Sequence, residues 1–246
     1  MKVTTIRTEK ITPFKISLFE VLDRNLKDFK EESVLAITSK IVSICEGRVV
    51  KIGKEDKNSL IKKEADWYLP RSLSKYNFIL TIKNNILLPS AGIDESNSNG
   101  HFVMWPKDPQ KTANQVRDYL INRFNLKKAG VIITDSKTTP LRWGTGGVAI
   151  AHSGFKGLNN YIGKPDIFGR TLLVTQANIM DALAVAAVLT MGEGKEQTPL
   201  AVIEELPFVQ FQQRNPTQKE LKDLRIEIED DLYAPLLTKV NWQKGG

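Results

Sequence analysis

Three short runs place acidic side chains where they could do chemistry. Ala91-Gly92-Ile93-Asp94-Glu95-Ser96-Asn97 sets carboxylates, a hydroxyl and an amide within four consecutive residues. Thr134-Asp135-Ser136 puts a carboxylate and a hydroxyl at the end of the apolar run Val131-Ile132-Ile133. Met191-Gly192-Glu193-Gly194 follows a long apolar segment, and its glycines let backbone amides approach a ligand. Hard cations such as Mg²⁺ or Mn²⁺ take oxygen ligands of this kind and bridge to substrate phosphates. Three carboxylates without an adjacent histidine suit metal-assisted phosphoryl transfer better than zinc hydrolysis. Each run also has a plainer reading. Asp, Ser and Asn in loops commonly make Asx turns and caps, and Glu193 can be an exposed helix-end residue.

Other chemistries are poorly supplied. Cys45 is the only cysteine, which leaves no disulfide framework and no thiolate zinc site, and its β-branched surroundings read as those of a buried structural thiol. With only His101 and His152, a His-rich metal site is excluded too. Gly144-Thr145-Gly146-Gly147-Val148-Ala149 matches a loose dinucleotide loop, but a β-like run follows it where that motif needs a helix. Gly157 to Lys164 is one residue too long for a phosphate loop, and Pro165 stands where Ser or Thr is required.

The elements that must position the acids are legible as apolar periodicities. Leu18, Val21, Leu22, Leu26 and Phe29 have helical spacing over Ser17 to Phe29. Val34 to Thr38 reads as a buried strand, and Glu46-Gly47-Arg48 reads as a turn into Val49-Val50. Asn77 to Ile82 is a further β-rich run, and Pro89 to Gly100 is a polar loop. Asp108-Pro109 starts a helix with Ala113, Val116, Leu120 and Phe124 on one face. Gly130 to Asp135 is a short strand, and Pro140 to Gly169 is glycine-rich and irregular around the strand Val148 to Ala151. A second helix runs from Asn178 to Met191, apolar almost all round, and so central to the core or to a subunit interface. Leu200 to Ile203 is a late strand, and Gln243 to Gly246 is expected to fray.

The 246 residues suit one interwoven unit with a substantial core. With 35 Lys+Arg against 28 Asp+Glu, the net charge of +7 favours anionic ligands without choosing among them. The lysines between Lys51 and Lys63 alternate with Glu55, Asp56 and Glu64 and read as a solvated face. No nucleic-acid module is recognisable, and no apolar run approaches the roughly 20 residues a membrane span needs. Polar residues follow Met1, without the apolar core of a secretion signal, so the expected compartment is the cytoplasm.

The sequence resembles the γ-glutamyl ligases that add glutamate to the deazaflavin coenzyme F420, with their folate-acting relatives. Ile37 to Ser43, Glu46-Gly47-Arg48, Ala91 to Asn97, Val131 to Ser136, Asp166 to Arg170 and Asp181 to Glu193 carry the likeness, which covers about 34–206. A weaker echo lies at Thr12-Pro13-Phe14. The resemblance implies an α+β fold of two interlocked halves in an intimate homodimer. It implies GTP (or ATP) as phosphoryl donor and Mg²⁺ or Mn²⁺ on its phosphates, sometimes with a monovalent cation such as K⁺. By position, Asp94, Asp135, Ser136 and Glu193 would be metal ligands. Ser39 and Asn97 would contact the nucleotide, with Thr12, Pro13, Phe14, Lys15, Met191, Gly192 and Gly194 lining it.

The departures are informative. Ile44 stands where relatives have a phosphate-contacting lysine, so either Lys40 substitutes or the contact is absent. Ser136 to Trp143 replaces the Thr-Phe-Gly type of turn of the deazaflavin enzymes, and Trp105, Trp143 and Glu196-Gln197-Thr198-Pro199 look more like the folate branch. The resulting expectation is tetrahydrofolate polyglutamylation, with the coenzyme F420 acceptor as the alternative. A non-catalytic nucleotide-binding scaffold and a basic nucleic-acid-binding protein are rivals of another class. Lys40 and Arg142 are candidate electrophilic clamps, although Arg142 reads equally as a surface ion pair. Trp143 and Trp105 could stack on a pteridine, or simply pack in the core.

Overall fold

Val34 to Thr38 is apolar without alternation, as a strand buried on both faces requires, and it lies at the centre of the structure. The computed structural model describes residues 1–246. In chain order the elements are β1 (Lys2–Ile6), α1 (Leu18–Asn25), β2 (Val34–Thr38), α2 (Ser39–Glu46), β3 (Val49–Lys51), α3 (Lys57–Glu64), β4 (Trp67–Tyr68), β5 (Leu80–Lys83), β6 (Ile86–Pro89) and β7 (His101–Val103). There follow α4 (Pro109–Phe124), β8 (Gly130–Thr138), β9 (Thr145–Ser153), β10 (Leu158–Asn160), β11 (Gln176–Asn178), α5 (Ile179–Met191), β12 (Leu200–Glu204), α6 (Gln218–Lys222), α7 (Ala234–Leu237) and β13 (Gln243–Lys244).

The fold is mixed α+β. A five-stranded sheet has the order β1-β12-β2-β8-β9. Only β2 and β8 are parallel, with Ile37 opposite Ile133 and Thr38 opposite Thr134. Leu22, Leu26, Val42 and Leu120, from α1, its C-terminal cap, α2 and α4, close one face of this sheet over Ile37 and Ile133. Leu183, Ala184 and Ala187 of α5 close the other over Ile132, Ala149 and Ile203. A smaller sheet, β13-β4-β5-β6, and the β3-β7 ladder stand beside it, with α3 packed into a separate core around Ala91, Ile93 and Phe102.

The helix starts follow the sequence. The Asp108 carboxylate accepts the Lys111 N–H at 2.8 Å, and the Asn178 side chain accepts that of Asp181 at 3.1 Å. Gly147 explains the lure of the glycine-rich run. It lies within β9, and a Cβ there would sit 2.3 Å from the Ala184 carbonyl oxygen, so the residue permits close approach of α5 to the sheet.

Several expectations are corrected. The Ser17 helix ends at Asn25, after which an extended Leu26 carries the chain on while Leu26 and Phe29 stay buried. The β-rich run from Asn77 begins as strand only at Leu80. Asp135 does not end its strand, because β8 continues to Thr138. Nor is the C-terminus frayed. Gln243 and Lys244 pair with Tyr68 and Trp67, and Gly245 and Gly246 donate to Asp66 and Lys62 carbonyls.

Candidate active site

The parallel strands β2 and β8 point their carboxyl ends to the same side, and open sheets bind ligands in such a crevice. β2 passes directly into α2, whose N-cap Thr38 makes no side-chain capping bond, and Ser39 at its start is buried. Lys40, in the first turn, donates to Asp94 Oδ2 at 2.6 Å and to the Ser96 carbonyl and Oγ, each at 3.1 Å. Asp94 also accepts the Glu95 and Ser96 N–H groups at 2.6 and 2.8 Å, so the Asp-Glu-Ser string is an Asx-type turn folded around its own carboxylate. Main-chain bonds to Val103 pin Asp94 to β7. Burial alone would raise the Asp94 pKa, but Lys40 and the Ser96 donors overcome it and hold the carboxyl below its usual range.

Asp135 lies on the same side, within electrostatic reach of Lys40 and Asp94. Burial pushes its pKa up to about 6, against the opposing pull of the Trp105 indole N–H, the Ser136 N–H and Lys40. Trp105 is 1% exposed and donates to Asp135 Oδ2. It therefore cannot stack on a substrate. Of the two readings given for it, packing in the core is the one observed, and its indole N–H also holds Asp135. Arg48 donates to the Trp105 carbonyl and to Glu64, Lys83 also pairs with Glu64 at 2.6 Å, and the Lys83 ammonium lies over the indole. Sequence reasoning missed this network. It read Glu64 as part of a solvated charge run, and charge alternation alone cannot tell a solvated carboxylate from one buried between two cations.

Gly92 makes room for the indole. A Cβ at this position would lie 2.1 Å from the Trp105 Nε1, and the backbone there has φ +72°. Gly92→Ala is expected to lower stability by about 3 kcal/mol, from overpacking and a strained φ together. A denaturant midpoint equal to that of the parent protein would contradict this account.

Alternation along β8 sends Ser136 to the opposite face from Asp135. There its hydroxyl donates to Glu193 Oε1 at 2.6 Å, and Thr145 approaches the same oxygen at 3.4 Å. The Asn97 amide donates to the Gly194 carbonyl at 2.8 Å, joining the Asp94 loop to the one after α5. The Gly194 N–H is taken by Glu196, and the Thr198 hydroxyl bonds the Met191 carbonyl. The acids thus form a strip rather than a knot. Asp94 and Asp135 flank Lys40 on one side of β8, Glu193 and Ser136 meet on the other, and no three acidic or histidine side chains gather at one point.

Other candidates lie apart. The exposed ring of Phe14 rests on Gly47 at the far end of α2 from Lys40, in the stretch that also holds Thr12, Pro13 and Lys15. Arg142 and Trp143 occupy the β8–β9 turn. Trp143 is 90% exposed with only Tyr76 edge-on to it, and the Arg142 side chain has no carboxylate partner. Cys45 is half-buried, and burial pushes its thiol to about 12, too high for a nucleophile at neutral pH.

The family model described as F420-0:Gamma-glutamyl ligase matches residues 6–205. The chain belongs to that family. It is 42% identical over 146 residues to the coenzyme F420:L-glutamate ligase of Methanococcus maripaludis (strain C6), a match covering 59% of this chain and 57% of that protein. Proteins of the same name from Methanopyrus kandleri and Archaeoglobus fulgidus are 32% and 31% identical over 191 residues, covering 71% of this chain and 75% and 76% of theirs. The match therefore spans little more than half the length of the Methanococcus relative. The folate reading is corrected by these relatives, all named for coenzyme F420. The residues that suggested it have local explanations, with Trp105 buried against Asp135, Trp143 exposed at a turn and Glu196 bonded to Gly194. No helix of the structure is long and apolar enough to cross a membrane.

Proposed function

We propose that this chain is a nucleotide-dependent γ-glutamyl ligase that forms an amide between L-glutamate and the terminal carboxylate of a coenzyme F420 precursor. The reading is carried by one observation, the strip of oxygen ligands and one lysine at the carboxyl ends of β2 and β8 in a chain of this family. The γ-phosphoryl group of GTP or ATP passes to the acceptor carboxylate, giving an acyl phosphate and the nucleoside diphosphate. The glutamate amine then attacks the acyl carbon, the C–O bond to phosphate breaks, and inorganic phosphate leaves as the amide forms. Such transfer depends on positioning and charge stabilisation rather than on a protein nucleophile. That agrees with the absence of a cysteine or histidine from the strip.

The donor set fits a hard divalent cation, because it consists of carboxylates and a hydroxyl, and because Asp135 lacks a full counter-charge where it sits. The single chain holds these donors in two groups, so Asp94 with Asp135 would hold one Mg²⁺ or Mn²⁺, and Ser136 with Glu193 a second ion, Mg²⁺, Mn²⁺ or K⁺. A bound divalent ion supplies charge neutralisation on the phosphates. Lys40 sits in the first turn of a helix whose N-cap side chain is idle, so its ammonium and the α2 amides are placed to receive phosphate oxygens. Asn97 and the 191–194 loop, joined by their hydrogen bond, form the neighbouring nucleotide wall.

A homodimer belongs to the same proposal. Leu141, Ile167, Phe168 and Leu189 are each more than 80% exposed in the single chain, apolar side chains that a partner subunit would cover. The test incubates the chain with a divalent ion, nucleoside triphosphate, L-glutamate and the coenzyme precursor, and follows phosphate release and product mass. One amide formed per phosphate released is the expected result. Phosphate release without a glutamylated product would sink the reading.

A further inference from the structure

The indole that bonds Asp135 is itself held by charged side chains from three separate places in the chain. Arg48 follows α2, Glu64 ends α3 and Lys83 ends β5. Arg48 donates from Nε to the Trp105 carbonyl at 3.2 Å and from Nη2 to Glu64 Oε1 at 2.7 Å. Lys83 donates to Glu64 Oε2 at 2.6 Å, and its ammonium stands 5.5 Å from the centroid of the indole. Each Glu64 oxygen thus serves a different cation. One cation reaches the Trp105 carbonyl and the other its ring face.

Stability alone is a poor reason for this cluster. The Lys83 and Glu64 side chains are only 11% and 19% exposed. Burial lowers the Lys83 pKa, and it would raise that of Glu64 if Lys83 and Arg48 did not overcome it. Charges taken out of water in this way seldom stabilise a fold more than well-packed apolar side chains of the same volume. What they do supply is direction, because charge-assisted hydrogen bonds have a narrow geometry.

That direction ends on Asp135. Trp105 is 1% exposed, and the one polar atom of its side chain donates to Asp135 Oδ2. Two cations fix the residue that carries this donor, and Glu64 fixes both cations.

We infer that Glu64 is a positioning residue for Asp135, acting through Arg48, Lys83 and the Trp105 indole. The cluster fixes the indole, and the indole fixes the carboxylate that the strip presents to a divalent ion. Its bearing on the reaction rests on the ligase reading, whereas its hold on the indole does not.

The test uses the full chain, isotope-labelled for NMR, with Glu64→Gln, Arg48→Lys and, as a control, Leu60→Val. Glutamine keeps the size of Glu64 without its charge. Lysine at 48 keeps the charge but loses the planar fork that reaches Glu64 and Trp105 together. Leu60 is buried in the core around Ala91 and Ile93, so its truncation loosens α3 without removing a charge. Solvent exchange of the Trp105 indole N–H, assigned with Trp105→Phe, is measured without any added ion. The Mn²⁺ Kd is then read from the electron-spin signal of the free ion. Glu64→Gln and Arg48→Lys are each expected to speed indole exchange about 10-fold and to raise the Mn²⁺ Kd about 10-fold, with Leu60→Val below about twofold in both. Should Glu64→Gln not fold, Arg48→Lys decides the matter. Unchanged indole exchange in the charge variants would overturn the inference. So would an equal effect of Leu60→Val, which would assign the change to core stability. A parent chain that forms no amide sinks the ligase reading and leaves the indole result standing.

Discussion

Asp135→Asn is expected to lower glutamate addition by about 1000-fold or more while making the fold more stable at neutral pH. The two effects share a cause. Asp135 sits in a place that burial makes unfavourable for a charge, with its pKa pushed up from the ordinary aspartate range to about 6. A carboxyl whose folded pKa is raised helps the fold fully below the unfolded pKa and loses that contribution as pH rises through the folded value. At pH 7 the ionised Asp135 therefore costs stability, about 1.5 kcal/mol once its partial contact with water is allowed for. An asparagine keeps the shape and can still accept from Trp105, but it carries no charge to desolvate. Thermal melts without nucleotide or divalent ion should show the variant ahead of the parent at pH 7 and level with it below about pH 4. Equal melting at both pH values would remove the electrostatic account. Retained turnover would remove Asp135 from the reaction.

Asp94→Asn is expected to cost about 100-fold to 1000-fold in turnover with little change in stability, and its pH signature has the opposite sign. Lys40 and the Ser96 donors hold the Asp94 carboxyl below its usual range, so its contribution is present above the unfolded pKa and fades as pH falls. The side chain is 46% exposed, so solvent screening keeps that contribution under about 1 kcal/mol. What the variant loses is the orientation of Lys40, whose ammonium bonds Asp94 and both Ser96 oxygens. The KM for nucleotide should rise together with the fall in kcat. A variant that remains folded with normal kcat would take both Asp94 and the Lys40 pair out of the mechanism.

These expectations oppose each other because two acids of the same strip are stabilised differently. Asp94 lies in a turn rich in donors, whereas Asp135 lies on a sheet with one indole and one amide for company. Nothing in the two local sequences announces this difference. Both read as an aspartate with a serine one or two residues on. The Trp105 side chain that separates them arrives from a distant segment, through the space left by Gly92. The same holds for Glu64, which Arg48 and Lys83 enclose only after the small sheet has folded.

Local chemistry determined much of this protein. The caps at Asp108 and Asn178, the continuous apolar run of β2, the all-apolar α5 and the acidic motifs are readable because hydrogen bonding and burial at those positions depend on near neighbours in the chain. Tertiary structure alone decided the rest. It determined that alternation along β8 parts Asp135 from Ser136 and that the final residues close the β4 sheet. Those outcomes depend on which distant surfaces meet, and pairwise approach across a hundred residues leaves no periodicity in the sequence to read.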